Sequence, residues 1–249
     1  MNRLPFGRLA LVLAAAPLAL GLAACKDKGG SAGPTGQAVA KVAPPAGKTW
    51  EDIVVKTPEG GFRMGNADAP IRLVEYGSLS CPHCAKLSNE GFRGLVDGYV
   101  NSGRVSYEFR SFAIHGIDVP LTVLARCGGT ETFFGMVEQL YRNQEAVMTR
   151  AQQGDAQAQA AARLPRDQQM VAMAQAYGLI DFFAQRGISI DQAKACLADT
   201  ASAEEVAKQA EAAGKAGIES TPTLMIDGDK IEARTWEELQ TELRNRGAR

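Results

Sequence analysis

The segments Ile71-Arg72-Leu73-Val74-Glu75-Tyr76 and Cys81-Pro82-His83-Cys84 place two cysteines where a strand meets a helix. Apolar and polar residues alternate over 71–76, which predicts a strand. Apolar residues recur at helical spacing after Pro82, which predicts a helix over 82–100. Proline suits the first helical position because an N–H there would lack a partner in any case. Cys81 is therefore the predicted N-cap, and Cys84 lies on the same helical face.

This placement predicts an acidic thiol. The positive helix end and its free N–H groups favour a thiolate over a thiol at Cys81. A protonatable His83 adds to that effect. A disulfide between Cys81 and Cys84 carries no charge and gains little, so the reduced form is stabilised and the disulfide is predicted to be strongly oxidising.

Two other interpretations of the cysteine pair are weaker. A zinc site needs two more Cys or His ligands at close spacing, and neither Cys127 nor Cys196 has that spacing. A structural disulfide between Cys81 and Cys84 would close too small a loop to stabilise the chain much. A redox-active pair is the favoured interpretation.

The N-terminus has the pattern of an export signal. Arg3 and Arg8 precede an apolar run over 9–22 that is too short for a comfortable membrane span. The following Leu22-Ala23-Ala24-Cys25 resembles a bacterial lipoprotein signal. It predicts cleavage after residues 1–24, lipid on Cys25 and a periplasmic, membrane-anchored protein. An ordinary secretory signal is the alternative.

Composition bounds the rest of the chain. The formal net charge of −1 gives no electrostatic case for binding nucleic acid. Gly, Ser, Ala, Pro, Lys and Thr dominate the stretch after Cys25, which predicts a flexible linker over 25–49.

Strand patterns surround a block of predicted helices. Strands are predicted near 53–55, 62–64, 71–76, 105–110, 223–226 and 230–232. Helices are predicted at 120–127, 131–143, 166–177 and 191–198, with 151–162 as a loop or a frayed helix. Capping boxes at 202–205 and 235–238 predict two further helix starts.

The remaining cysteines predict a second disulfide. With Cys25 lipidated and Cys81 paired to Cys84, an exported protein leaves Cys127 and Cys196 as the natural pair. They lie in the first and last helices of the helical block, which should be neighbours because the block begins and ends at one sheet edge. Two buried free thiols are the alternative.

The sequence resembles the DsbA family of periplasmic thiol:disulfide oxidoreductases over roughly residues 50–246. The resemblance rests on Cys81-Pro82-His83-Cys84 after a strand, on the helical block, and on Thr221-Pro222-Thr223 before a late strand. It implies an α/β fold, a thioredoxin-like mixed sheet with an inserted α-helical domain. The two parts of the thioredoxin-like domain would be 50–117 and 202–249, around an insertion at 118–201.

The resemblance implies roles for the residues of the motif. Cys81 would attack and form the mixed disulfide, and Cys84 would be the buried resolving cysteine. His83 would stabilise the Cys81 thiolate, or be an exposed spacer. Glu75 matches an acid that the family often buries near the resolving cysteine, where it relays a proton; an exposed strand-end acid is the alternative.

The resemblance also implies a substrate-binding position. Pro222 matches the family's cis-proline, which would leave the Thr221 backbone free to pair with an extended substrate segment. A trans proline that starts a strand is the alternative. Family oxidases often carry Val before this proline, whereas Thr is more usual in isomerases. His115 is expected at the surface or groove rim, and Phe112, Ile114 and Ile117 in substrate contact or core packing.

The implied function is oxidation of reduced exported proteins by a monomer without metal or other cofactor. A DsbB-like membrane oxidase linked to quinone would restore the Cys81–Cys84 disulfide. A disulfide isomerase or reductase kept reduced by a membrane electron donor is the alternative. The usual isomerases carry an N-terminal dimerisation domain, for which 26–49 is too short and too polar. A metal-binding lipoprotein is a third interpretation, but no His or Met is convincingly placed for it.

Overall fold

A six-stranded mixed sheet forms the centre of the computed structural model, which describes residues 36–249. The strands follow the order β1-β2-β4-β3-β5-β6, and only β3 and β4 pair in parallel. Their bounds are β1 Val54–Lys56, β2 Phe62–Met64, β3 Ile71–Gly77, β4 Val105–Ser111, β5 Thr223–Ile226 and β6 Asp229–Ile231.

Strand β3 is central and determines where the cysteines lie. Its side chains alternate between the two sheet faces, and Ile71, Leu73, Glu75 and Gly77 share the buried face. Tyr76 and the other alternate residues are less buried. A carboxylate therefore sits on the apolar face, two residues before the strand ends.

Helices cover the sheet and form the block between β4 and α9. Their bounds are α1 Pro82–Leu95, α2 Asp118–Arg126, α3 Phe133–Arg142, α4 Gln144–Gln153, α5 Asp155–Ala161, α6 Arg166–Ala176, α7 Leu179–Ala184, α8 Ile190–Ala198, α9 Thr200–Lys215 and α10 Trp236–Asn245. A π-helical turn, Val96–Val100, extends α1. This is the thioredoxin-like sheet with inserted helices that the sequence predicts.

The starts of α1 and α10 follow their sequence signals. Cys81 has extended backbone angles as the N-cap of α1, and Pro82 occupies the first turn. The Thr235 side chain accepts from the Glu238 N–H, and the Glu238 carboxylate accepts from the Thr235 N–H, which completes the predicted capping box.

Cys127 and Cys196 form a disulfide in the structure, with Cα atoms 6.0 Å apart. Cys127 follows the last residue of α2, and Cys196 lies in α8. The bond ties together the two helices that the sequence marks as the ends of the helical block.

The expected flexible linker over 25–49 needs correction for 36–49. Val39 N–H donates to the Gly247 carbonyl at 2.9 Å, and Val42 N–H donates to the Ser102 carbonyl at 3.0 Å. The Trp50 indole N–H donates to the Val42 carbonyl at 2.8 Å. This segment docks mainly through backbone groups, which any composition provides, so the side-chain pattern could not reveal it.

Two expectations within the helical region also change, and one helix has no predicted counterpart. The 151–162 stretch belongs to two helices, α4 and α5, which glycine at 154 separates. Helix α7 was not predicted because it is only six residues long. The expected capping box at 202–205 is wrong: α9 begins at Thr200, and the Asp199 carboxylate is the cap that accepts from the Ala201 N–H.

Residues 1–24 and Cys25, on which the expected signal and lipid anchor depend, lie outside the described residues. Within residues 36–249, no helix combines the length and the apolar composition needed to cross a bilayer.

Candidate active site

Cys81 and Cys84 are free thiols at the N-terminal end of α1. The Cys81 side chain is 5% exposed and Cys84 is fully buried. The Cys81 Sγ lies 3.4 Å from the Thr221 carbonyl oxygen, across 140 residues of sequence. The fold therefore places Cys81 against the segment before Pro222.

The two thiols have opposite proton affinities. The hydrogen bond from the Cys84 thiol lowers the pKa of Cys81 to about 5, assisted by the N–H groups of Cys84 and His83, while burial opposes the shift. Burial raises the pKa of Cys84 far above that of a free thiol. At neutral pH the arrangement supports a thiolate at Cys81 and a protonated thiol at Cys84.

Glu75 lies beneath this pair, with a side chain that is only 6% exposed. Its Oε2 accepts a hydrogen bond from the Tyr107 hydroxyl at 2.7 Å, and its Oε1 is buried without a hydrogen-bond partner among the described residues. Burial raises the pKa of Glu75 to about 7, although the Tyr107 bond works against that rise. The acid is therefore buried, not at an exposed strand end, and can exchange a proton near neutral pH.

A groove borders the cysteines on the β5–β6 side. The Thr221–Pro222 peptide bond is cis, as the resemblance implies. His83 is exposed and faces the same groove, whose volume is about 370 Å³. Its walls consist of His83, Ser220, Thr221, Pro222, Thr223, Lys230, Ile231, Glu232, Ala233 and Arg234.

Asp118, which the sequence did not single out, fixes the loop before Cys81. Its carboxylate is fully buried and accepts from the Ser78 hydroxyl at 3.0 Å and the Ser80 N–H at 2.9 Å. It also accepts from the N–H groups of Ile114 and His115, each at 3.0 Å. One side chain of the inserted helices thus joins two loops beside the cysteines.

The same loop is held from α3 and α4. The Gln144 amide donates to the Leu79 carbonyl at 2.9 Å and to the Cys81 carbonyl at 3.0 Å. The Tyr141 hydroxyl donates to the Ser78 carbonyl at 3.0 Å. The sequence offers no specific signal for these roles, because a glutamine at the start of a helix and a tyrosine near the end of one are both common.

His115 lies next to the active-site loop. Its side chain is 61% exposed, and its Nδ1 is 2.9 Å from the Ser80 hydroxyl oxygen. Ile114 is exposed, whereas Phe112 and Ile117 are partly buried. Within residues 36–249, no three His, Cys, Asp or Glu side chains form a group that could hold a metal ion.

The fold and the site define the class of protein. The family model described as Thioredoxin matches residues 57–245, and the chain belongs to this family.

Individual relatives narrow the comparison. The chain is 32% identical over 101 residues to a Rickettsia bellii protein named as a protein-disulfide oxidoreductase, covering 41% of this chain and 39% of that protein. It is 31% identical over 62 residues to disulfide bond formation protein D of Bacillus subtilis, covering 25% and 28%. The matches therefore span well under half the length of these relatives.

Solved structures match over more of their length. The structure is similar to that of protein-disulfide isomerase from Novosphingobium aromaticivorans, with a TM-score of 0.68 and 29% identity over 74% of this chain and 95% of that one. It also resembles Wolbachia pipientis alpha-DsbA1, with a TM-score of 0.56 and 18% identity over 79% and 94% of the two chains. The second likeness shows the fold alone.

Proposed function

We propose that this protein is a thiol:disulfide oxidoreductase of DsbA type that donates the Cys81–Cys84 disulfide to reduced exported proteins. The observation that carries the proposal is the pairing of a low-pKa thiol at a helix N-terminus with a buried, high-pKa thiol three residues later. The names of the relatives support the same reaction class.

The proposed reaction conserves atoms and electrons at each step. A client thiolate attacks the Cys81 Sγ of the oxidised protein, the Cys81–Cys84 bond breaks, and Cys84 leaves as a thiolate that takes a proton from Glu75. A second client thiolate then attacks the client sulfur of the mixed disulfide. Cys81 leaves as a thiolate, the client gains a disulfide, and the protein retains the two electrons as a dithiol.

The geometry supports this direction of transfer. Stabilisation of the Cys81 thiolate favours the reduced protein, and it makes the Cys81 sulfur a good leaving group. The Thr221 carbonyl that faces Cys81 belongs to the groove at Pro222, where an extended client segment would pair with the backbone. In this proposal His83 helps to stabilise the Cys81 thiolate from the exposed side of the same groove.

Disulfide isomerisation is a second candidate. The relative from Novosphingobium aromaticivorans is titled a protein-disulfide isomerase, and threonine precedes the cis-proline here. An isomerase must be kept reduced, whereas an oxidase must be kept oxidised. The thiol state of Cys81 and Cys84 in freshly isolated cells decides between them: mostly disulfide supports the oxidase, and mostly dithiol supports the isomerase.

Single-cysteine variants test the chemistry. Cys81→Ser should abolish disulfide transfer to a reduced two-cysteine client, and Cys84→Ser should accumulate a mixed disulfide on Cys81, seen by mass spectrometry without reductant. The double variant Cys127→Ser/Cys196→Ser is the matched control, because it removes a cysteine pair away from the groove, and it should still transfer. Transfer by Cys81→Ser would overturn the proposal.

Location and re-oxidation complete the proposal. Export, the lipid on Cys25, a periplasmic site and a DsbB-like re-oxidising partner rest on the sequence pattern and the resemblance. Wild-type protein should partition with membranes and carry acyl mass at its N-terminus, and Cys25→Ala should release it. Wild-type protein recovered without acyl mass would contradict the anchor, and would leave the redox chemistry standing.

A further inference from the structure

The two oxygens of Glu75 have different surroundings. The Tyr107 hydroxyl donates to Oε2 at 2.7 Å, and Oε1 is buried with no hydrogen-bond partner among residues 36–249. A buried carboxylate ordinarily gains several donors, so a carboxylate with one donor on one oxygen is unusual. The arrangement leaves one oxygen available for another proton.

The free oxygen lies toward the cysteine end of β3. A Cβ atom placed on Gly77 would lie 3.1 Å from Oε1, on the same sheet face. Gly77 directly precedes Ser78, whose backbone is close enough to the Cys84 sulfur to lower its pKa. Gly77 must lack a side chain, because that Cβ would also lie 2.4 Å from the Phe109 ring. Glycine thereby leaves room for the Phe109 ring beside Oε1 at the end of β3.

We propose that Tyr107 is a positioning residue of the redox site: its hydroxyl holds Oε2 of Glu75 so that Oε1 stays free to exchange a proton with Cys84. This inference rests on the proposed function. When Cys84 leaves as a thiolate, the proton on Oε1 moves to the Cys84 sulfur, and Glu75 becomes a carboxylate that still accepts the Tyr107 hydrogen bond. The reverse transfer occurs when the pair is oxidised again.

The surroundings of Tyr107 suit this role. It lies on β4, which pairs in parallel with β3. Its ring packs against Phe134, with centroids 5.5 Å apart, and against Phe92 at 6.3 Å. The aromatic neighbours fix the ring, so Tyr107→Phe should keep the packing and remove only the hydroxyl.

The test measures the pH at which the Glu75 carboxyl loses its proton, in reduced wild-type protein and in reduced Tyr107→Phe. The infrared carbonyl band of the protonated carboxyl reports this titration. The titratable groups that interact with Glu75 and Tyr107 are Cys81 at the N-cap of α1, Cys84 in α1 and Tyr141 in α3. The β5 neighbour of Glu75 is Leu224, which does not titrate. The Tyr107 hydrogen bond favours the charged form of Glu75. Its loss in Tyr107→Phe should therefore raise the midpoint of the Glu75 titration by about one pH unit or more.

Kinetics supply the second readout. The rate of the step in which Cys84 leaves should depend on pH with a midpoint that rises by the same amount in Tyr107→Phe. In a Glu75→Gln background, Tyr107→Phe should have no further effect on this rate. Tyr177→Phe is the matched control, because the Tyr177 hydroxyl also donates to a carboxylate, Asp155, at 3.2 Å within the helical block. It should leave both midpoints unchanged.

The outcomes separate the two proposals. An unchanged Glu75 midpoint in Tyr107→Phe, or an equal kinetic effect with and without Glu75, would overturn the positioning role and leave disulfide transfer intact. If wild-type protein transfers no disulfide at all, the proposed function fails, and the infrared titration still decides whether Tyr107 controls Glu75.

Discussion

Glu75 and Asp118 are two buried carboxylates near the loop from Ser78 to Cys81, and they receive different numbers of hydrogen bonds. Asp118 receives hydrogen bonds from Ser78, Ser80, Ile114 and His115, whereas Glu75 receives one from Tyr107. Many donors fix a carboxylate as a structural acceptor, and few donors leave its proton exchangeable. Burial alone therefore does not distinguish the two acids, and the number of donors on their oxygens does.

Removal of Asp118 should have the largest effect on stability. Asp118→Ala leaves the partly buried N–H groups of Ser80, Ile114 and His115 without their acceptor, so the free energy of unfolding should fall by about 4 kcal/mol. Urea unfolding of the reduced protein measures it. Glu75→Gln at neutral pH is the control and should not lose stability, because it removes a buried charge. A loss in Asp118→Ala no larger than in Glu75→Gln would contradict the contrast between the two acids.

The Cys127–Cys196 disulfide holds the end of α2, the helix that begins at Asp118, because Cys127 directly follows the last residue of α2. Its two cysteines are 69 residues apart. Cys127→Ser/Cys196→Ser should lower the free energy of unfolding by up to about 4 kcal/mol, since the unfolded chain regains the freedom of that loop. The pKa of Cys81, measured by thiolate absorbance, should not change. A raised pKa would show that the insertion reaches the reactive thiol through this bond.

Glu75 should make stability depend on pH in a defined window. Its pKa rises from 4.5 to about 7 in the folded state, so the folded protein binds the proton more tightly than the unfolded chain does. The stabilisation is fully present below pH 4.5 and is lost as the pH rises through 7, by roughly 3 kcal/mol. The lowered pKa of Cys81 acts in the opposite direction between about 5 and 9, in wild type and variant alike.

The test therefore compares wild type with Glu75→Gln, so that the contribution of Cys81 cancels. The free energy of unfolding of wild type minus that of Glu75→Gln, followed from pH 4 to pH 8, should fall across this window. A flat difference would mean that Glu75 titrates at its ordinary pKa.

Loss of the Gln144 amide should have the smallest of these effects. Gln144→Leu leaves the Leu79 carbonyl without its donor, and the Cys81 carbonyl keeps only the Ala85 N–H, so the free energy of unfolding should fall by about 2 kcal/mol. It should also slow alkylation of Cys81 at pH 6, because the N-cap residue becomes less well fixed. Gln209→Leu is the control. It loses a hydrogen bond to the carbonyl of Gly60, which is distant from Cys81 in the sequence, and it should leave the alkylation of Cys81 unchanged. Equal alkylation rates in the two variants would contradict the role of Gln144.

The sequence alone determined the elements that depend on local chemistry. Alternation predicts β3, proline and the helix signals predict Cys81 as the N-cap of α1, and Thr235 with Glu238 predicts the start of α10, because each signal acts within a few residues. The Cys127–Cys196 pairing was also predictable, since few cysteines remained to choose from. The roles of His83, Glu75, Thr221 and Pro222 came from the resemblance and stay predictions.

Only the tertiary structure decided what surrounds the cysteines. The contact between Cys81 and Thr221 joins segments 140 residues apart, and Asp118, Gln144 and Tyr107 act through bonds between separate elements. A lone Asp, Gln or Tyr at a helix start or in a strand carries no local sign of the group it will face. Proton affinities depend on burial and on donors from distant parts of the chain, so they are properties of the assembled fold.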